Sequence, residues 1–266
     1  MAVTKPTIID VRCEAAASIG CSSISTRRSR GRVKGVGSIG FRALIGLGVI
    51  SAQFMAVGGA TANATQGKTT LALAEKALLV KSDFPKSWTS TKSSNNNSSF
   101  PGAAQLARCI GVPESVVTSN PPTAYSPEFD SSNHLLSVDD SVSIYPSAKA
   151  ASADFSSLAN LKTPTCLTSV LNGPAKASLQ KELGTASIVG KIVVSRVLAT
   201  YFAPRGANIT MLMRVKSQGV QLDFTLIIVD YVKGNQEQTV TLISVVTGFP
   251  AALAKQLTTD AVSLIR

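Results

Sequence analysis

The residue types that could do chemistry are few, and they sit far apart in the 266-residue chain. Ala62-Asn63-Ala64-Thr65-Gln66-Gly67-Lys68-Thr69 fits a permissive phosphate-loop pattern, and Leu226-Ile227-Ile228-Val229-Asp230 ends, like a magnesium-binding strand, on an aspartate. Together they would supply a phosphate cradle, a lysine and a metal ligand. The loop holds a single glycine, however, and a phosphate nest needs backbone freedom. Asp230 also falls inside a run of hairpins rather than at the end of a parallel strand. A hydrolytic triad needs a base, and His134, the chain's one histidine, lies in the polar loop Ser131-Ser132-Asn133-His134 without a G-x-S-x-G elbow elsewhere. Asp139-Asp140 are a carboxylate pair, but neighbours on a strand point to opposite faces, so a bulge or turn is expected there. Trp88, Tyr125, Tyr145 and Tyr201 are candidate ligand-wall aromatics, each with an apolar body and a polar tip. No catalytic residue, metal ligand or cofactor is assigned.

The remaining chemistry is that of export. Arg27, Arg28, Arg30, Arg32 and Lys34 precede the uncharged stretch Ala43–Val57, and Ala62-Asn63-Ala64 follows as an A-x-A cleavage site. Fifteen uncharged, mostly apolar residues suit a signal-peptide core better than a membrane span, which needs about 20. Residues 1–64 are therefore read as an N-terminal extension and signal peptide, cleaved after Ala64, and 65–266 as a secreted domain. Contact with a membrane is expected only if that segment stays uncleaved. The net charge of +11 is uneven: residues 1–64 carry 8 Lys/Arg against 2 Asp/Glu, leaving a mature chain with scattered basic residues and no nucleic-acid signature.

Beyond residue 64 the cysteines number two, Cys109 and Cys166. In an oxidising compartment an even pair is most simply a disulfide. With one histidine and no ligand spacing they do not make a zinc site.

The elements that must position these residues read as α+β. Helical patterns are expected over 68–80, 102–110 and 147–161, and from Pro164 to Leu183 with a break at Gly173-Pro174. Short strands are expected at 87–92 and 124–129, and another at 135–145 interrupted by Asp139-Asp140. Then come four Val/Ile/Thr-rich strands, 188–200, 208–216, 220–232 and 238–247. Their short connections permit only antiparallel hairpins. A last helix spans 250–265 after Pro250. The expectation is a single domain with an antiparallel β-meander sheet flanked by helices and tied by one disulfide.

Several segments carry a resemblance: the turn Asp83-x-Pro85-x-x-Trp88 after ALLVK, QLARCIG around Cys109, SIYPS, AKAASADF, and PTCL around Cys166. Over about residues 70–266 the chain resembles the secreted sensor-type domains of actinobacteria. These include the extracellular domains of membrane serine/threonine kinases and related exported proteins with a PsbP-like α/β/α sandwich. It departs from the better-known kinase sensors in lacking cysteines for a second disulfide. The resemblance implies an exported ligand-binding or sensor-like module without catalysis, with an unknown small molecule or a cell-envelope component as partner. A cell-envelope protein-interaction module is the alternative.

Overall fold

The computed structural model describes residues 71–92, 100–197, 201–245 and 248–265. The arginine run, Ala43–Val57, the phosphate-loop-like segment and the cleavage residues Ala62 and Ala64 lie outside them.

The long hairpins follow directly from local chemistry. β7 (Ala207–Ser217) and β8 (Val220–Lys233) pair from Ala207↔Asp230 to Ser217↔Val220. Their two-residue loop is Gln218-Gly219, both at positive φ (50° and 82°). That backbone twist matches the twist of the flanking strands. β9 (Gln236–Val245) returns through Gly234-Asn235 and pairs with β8 from Lys233↔Gln236. On the far side of β9 comes β4 (Leu136–Ile144), in unbroken register from Leu136↔Ser244 to Ile144↔Gln236.

The sheet is larger than a four-strand meander. Its order is β1-β3-β4-β9-β8-β7-β5, with β2 also on β4 and β6 also on β7, and every pairing is antiparallel. Here β1 is Thr89–Thr91, β2 Thr123–Tyr125, β3 Glu128–Asp130, β5 Ser187–Ile188 and β6 Val193–Ser195. Two expected strands are thus each divided. Ser126-Pro127 separates β2 from β3, because proline offers no N–H to a ladder. Gly190, at φ 75°, lies between β5 and β6.

The interruption expected at Asp139-Asp140 is not there: β4 runs straight through both. The irregularity falls instead on the neighbouring chain. Ser126 N–H donates to the Asp140 carbonyl, and Asp140 N–H donates to Ser126 Oγ at 2.9 Å. The break between β2 and β3 therefore absorbs what β4 was expected to show. The two carboxylates do point to opposite faces.

Helices cover both faces. On one lie α1 (Ala103–Ile110), α2 (Glu114–Val117), α3 (Ala148–Ala159), α4 (Thr163–Asn172) and α5 (Lys176–Glu182). Leu106, Ile110, Leu158, Leu167 and Val170 meet Ile209, Met211, Phe224, Leu226 and Ile228 in one core. On the other face the helical residues 71–75, the turn after them and α6 (Ala251–Leu264) pack Leu79, Phe84, Trp88 and Leu257 against Val138, Val142, Val229 and Leu242. Alternation along β8 makes both cores possible, since Ile228 faces one layer and Val229 the other. Local chemistry marks two of the helix ends. Ser147 Oγ accepts the Ala150 N–H to start α3, and Gly111 in the left-handed region ends α1.

Cys109 on α1 and Cys166 on α4 are joined, with Cα atoms 5.8 Å apart across 57 residues. The bond links two helices of the same layer. Among the described residues no helix is long and apolar enough to cross a membrane.

Candidate functional site

The sheet face carrying α3 and α4 is apolar at its β7–β8 end and acidic toward β4. The register places the acids. Facing outward in that direction are Asp139 and Ser141 of β4, Glu237, Thr239 and Thr241 of β9, and Asp230 of β8, with Glu128 and Asp130 of β3 alongside. They form two groups. Asp139 pairs across to Thr241, four residues from Glu237 on β9, which separates the groups by about 13 Å along the strand.

The outer group is Tyr125, Glu128, Asp130 and Asp139. Ser137 Oγ donates to Glu128 Oε1 at 2.6 Å. Burial is the main reason the Glu128 carboxyl is pushed up to about 7, with Asp130 adding repulsion. Asp139 is raised well above the usual carboxylate range by burial, then by the charge of Glu128. Tyr125 is raised by burial and, to a lesser degree, by Asp139. Asp139 and Tyr125 are half-buried, so this group keeps an opening to solvent.

The inner group is Tyr145, Asp154, Asp230 and Glu237, all closed off from solvent at 4, 1, 0 and 2% exposure. Asp154 belongs to the stripe of α3 that faces the sheet, with Ala151, Ser157 and Leu158. The Tyr145 hydroxyl donates to Asp154 Oδ2. A phenol has one proton, and the other carboxyl oxygens of the group, Asp154 Oδ1 and both of Asp230 and Glu237, have no well-formed hydrogen bond. Burial raises Asp154 and Asp230 to about 7 and Glu237 well up, with mutual repulsion adding to Asp230 and Glu237.

One more buried acid, Asp140, serves structure on the opposite face. Asp140 accepts the Leu79 N–H at 2.9 Å and the Gln238 amide at 3.0 and 3.2 Å, and Gln238 also donates to the Ala77 carbonyl. It fastens the 71–84 segment to the sheet.

The four aromatics proposed from sequence do not converge on one cleft. Trp88 is buried in the second core, its ring 5.3 Å from Phe84, which stacks on Phe129 at 4.1 Å. Tyr125 sits in the outer acidic group and Tyr145 in the inner one. Tyr201 is on the surface. His134 is exposed in a tight turn at φ 55°. Asp230 is fully buried in a strand antiparallel to both neighbours, as the hairpin reading expects. Among the described residues no three His, Cys, Asp or Glu side chains are arranged to hold a metal ion.

Sequence reasoning missed Glu128, Asp130, Asp154 and Glu237. Asp154 had a signal, since it lies on α3 between Ala151 and Leu158 in the buried stripe. Glu237 had one in the alternation Glu237, Thr239, Thr241, Ile243.

No protein-family model and no curated protein sequence matches the chain. Among solved structures it is similar to the extracellular domain of PknH from Mycobacterium tuberculosis. The two share 12% identity over 72% of this chain and 96% of that one, with a TM-score of 0.38. So loose a superposition transfers no residue role.

Proposed function

We propose that this chain is an exported, non-catalytic module that binds a small ligand at the outer acidic group. The observation that carries this reading is the half-open pair Tyr125 and Asp139, backed by Glu128 on the same sheet face. Two acids held close together in a partly dry setting repel one another. A ligand bearing a positive charge or several N–H donors relieves that repulsion, and the Tyr125 ring offers it an apolar wall. The disulfide supports export, because such bonds persist in oxidising compartments. Processing at Ala62-Asn63-Ala64, with Thr65 as the first mature residue, is part of the same proposal.

Native mass spectrometry of the protein purified from its own host tests it. A co-purifying small cation or polyamine-like species, lost in Asp139→Asn and Tyr125→Ala, is the expected result. Protein of bare mass, giving no chemical-shift changes in β2–β4 when titrated with its host's small-molecule extract, would reject it.

A surface for a cell-envelope protein is the second reading. Val193 and Leu212 are direct cross-strand neighbours, 48 and 46% exposed near one edge of the sheet. A partner there would be lost on Leu212→Asp while ligand binding at Asp139 stayed intact.

A further inference from the structure

We propose that Tyr145, Asp154, Asp230 and Glu237 form a proton-holding latch that keeps α3 docked on the sheet at acidic pH and loosens it as the pH rises. The three carboxyls come from three elements, α3, β8 and β9, so holding them together is the same act as docking the helix. Asp154 and Glu237 lie within hydrogen-bonding reach of each other. Two carboxyls can bond only if one keeps its proton. Asp230 is wholly buried with neither oxygen in a well-formed hydrogen bond, and the Thr239 hydroxyl opposite it on β9 offsets only part of the cost of burying its charge.

Among the described residues no neighbouring cation relieves the group. On α3, Lys149 is exposed, away from the buried stripe. Arg196, beyond β6, spends its guanidinium on the carbonyls of Leu158, Asn160 and Asn208. On β8, Lys233 reaches the Ile265 carbonyl in the opposite layer. β7 contributes Ala207 opposite Asp230. From the end of β4 comes the Tyr145 phenol, whose own titration is pushed further up by burial. Ser143 lies opposite Glu237, and its Oγ is engaged with Thr123. The outer acids Glu128 and Asp139 lie further along the same face and bring no positive charge to it.

The direction of the effect follows. In the unfolded chain these carboxyls ionise near pH 4; in the folded chain Asp154 and Asp230 are pushed up to about 7, and burial with the charges of Asp230 and Asp154 holds Glu237 well above its ordinary range. The folded state therefore holds more protons between those limits, and stability falls as pH rises through that window. Each proton held changes the unfolding equilibrium about tenfold per pH unit. α3 is where the opening should be seen, because separating Asp154 from β8 and β9 relieves the repulsion without unzipping a strand ladder.

The test is urea unfolding of the full-length protein from pH 5 to 8.5, read by Trp88 fluorescence. It is paired with hydrogen exchange of residues 148–159, corrected for intrinsic rate. The wild type should lose unfolding midpoint with rising pH, and α3 should lose at least tenfold protection relative to β8 by pH 8. Asp230→Asn and, separately, Glu237→Gln should flatten both responses. Asp140→Asn, on the other face, should remove only its own share of the midpoint slope and leave α3 exchange unchanged. Equal slopes in wild type, Asp230→Asn and Glu237→Gln would overturn the proposal. So would α3 protection that is the same at pH 5.5 and 8 in the wild type, a measurement that needs no variant to fold.

Discussion

Replacing both Cys109 and Cys166 with alanine should destabilise the protein by about 4 kcal/mol. The figure comes from the 57-residue separation. The chain-entropy relation for a loop of that length gives an entropy loss of about 14 cal/mol/K in the unfolded state, hence about 4.2 kcal/mol at 25 °C. Losing the sulfur of Cys166, which is buried beside Leu167 and Val170, adds a small cavity cost. The structure also says where the loss is felt. The bond joins α1 and α4 within one helical layer, and α1 is only eight residues long. Its other attachments are Leu106, Ala107 and Ile110 packed into the α4 side of the core and the Asn160 amide donating to the Ile110 carbonyl at 3.1 Å. The long β7–β8–β9 ladders do not involve either cysteine. Urea denaturation of oxidised protein and the double-alanine variant gives the magnitude. Hydrogen exchange gives the place: α1 and α2 should open first while β8 and β9 stay protected. A loss under about 1 kcal/mol, well below the usual range for such bonds, would refute the entropy argument. Simultaneous opening of α1 and β8 would refute the local one.

Gly102→Ala should cost about 3 kcal/mol, from a left-handed residue given a Cβ and an overpacked contact, because that Cβ would sit 2.5 Å from Val170 Cγ1 at φ 101°; thermal denaturation reads it. Asp140→Ala strands the Leu79 N–H and one of the two Gln238 amide N–H groups, the other staying on the Ala77 carbonyl, and about 3 kcal/mol is expected from two buried unpartnered N–H groups; exchange of residues 77–84 should rise before that of α1. The Asp140 carboxyl is pushed up to about 7, chiefly by burial, so its contribution, too, is greater at pH 5 than at pH 8; Asp140→Asn should flatten the midpoint profile by up to one proton's share. Asp139→Asn should leave stability at pH 7 unchanged or slightly higher, since it removes a repelling charge from a half-buried position, and chemical denaturation checks it.

The hairpins were legible because their chemistry is local. Gln218-Gly219 and Gly234-Asn235 sit between Val/Ile/Thr runs, and loops so short leave one topology. The cysteine pair was legible by elimination, and Ser147 and Pro250 marked helix starts. What could not be read was which strands become neighbours across a long separation. β4 meets β9 about a hundred residues away, and nothing local in LSVDDSVSI names that partner. The expected break at Asp139-Asp140 followed from the opposite directions that two adjacent strand carboxylates must take. Their accommodation depends on Leu79, Ser126 and Gln238, and only the fold brings these to Asp140. The inner acids were hidden for the same reason. Asp230 ends an apolar run in sequence, and that run is the middle of a buried strand.

Packing does not explain the inner acids. Asp154, Asp230 and Glu237 occupy positions that the pattern of α3, β8 and β9 otherwise fills with small or apolar residues facing a core. At each, a neutral side chain of similar size would avoid the cost of keeping a carboxyl out of water. A group that lowers stability at neutral pH and leaves it intact in acid does something that a Leu or Asn at the same place cannot: it makes the position of α3 depend on proton concentration. The outer group, with an opening at Asp139 and Tyr125, can respond to a ligand in the same electrostatic terms. The two lie on one sheet face about 13 Å apart. A cation bound at Asp139 would lower the negative potential felt by Glu237 and Asp230, and so favour their ionised forms. Ligand binding and proton release from the latch are therefore expected to be linked, each favouring the other.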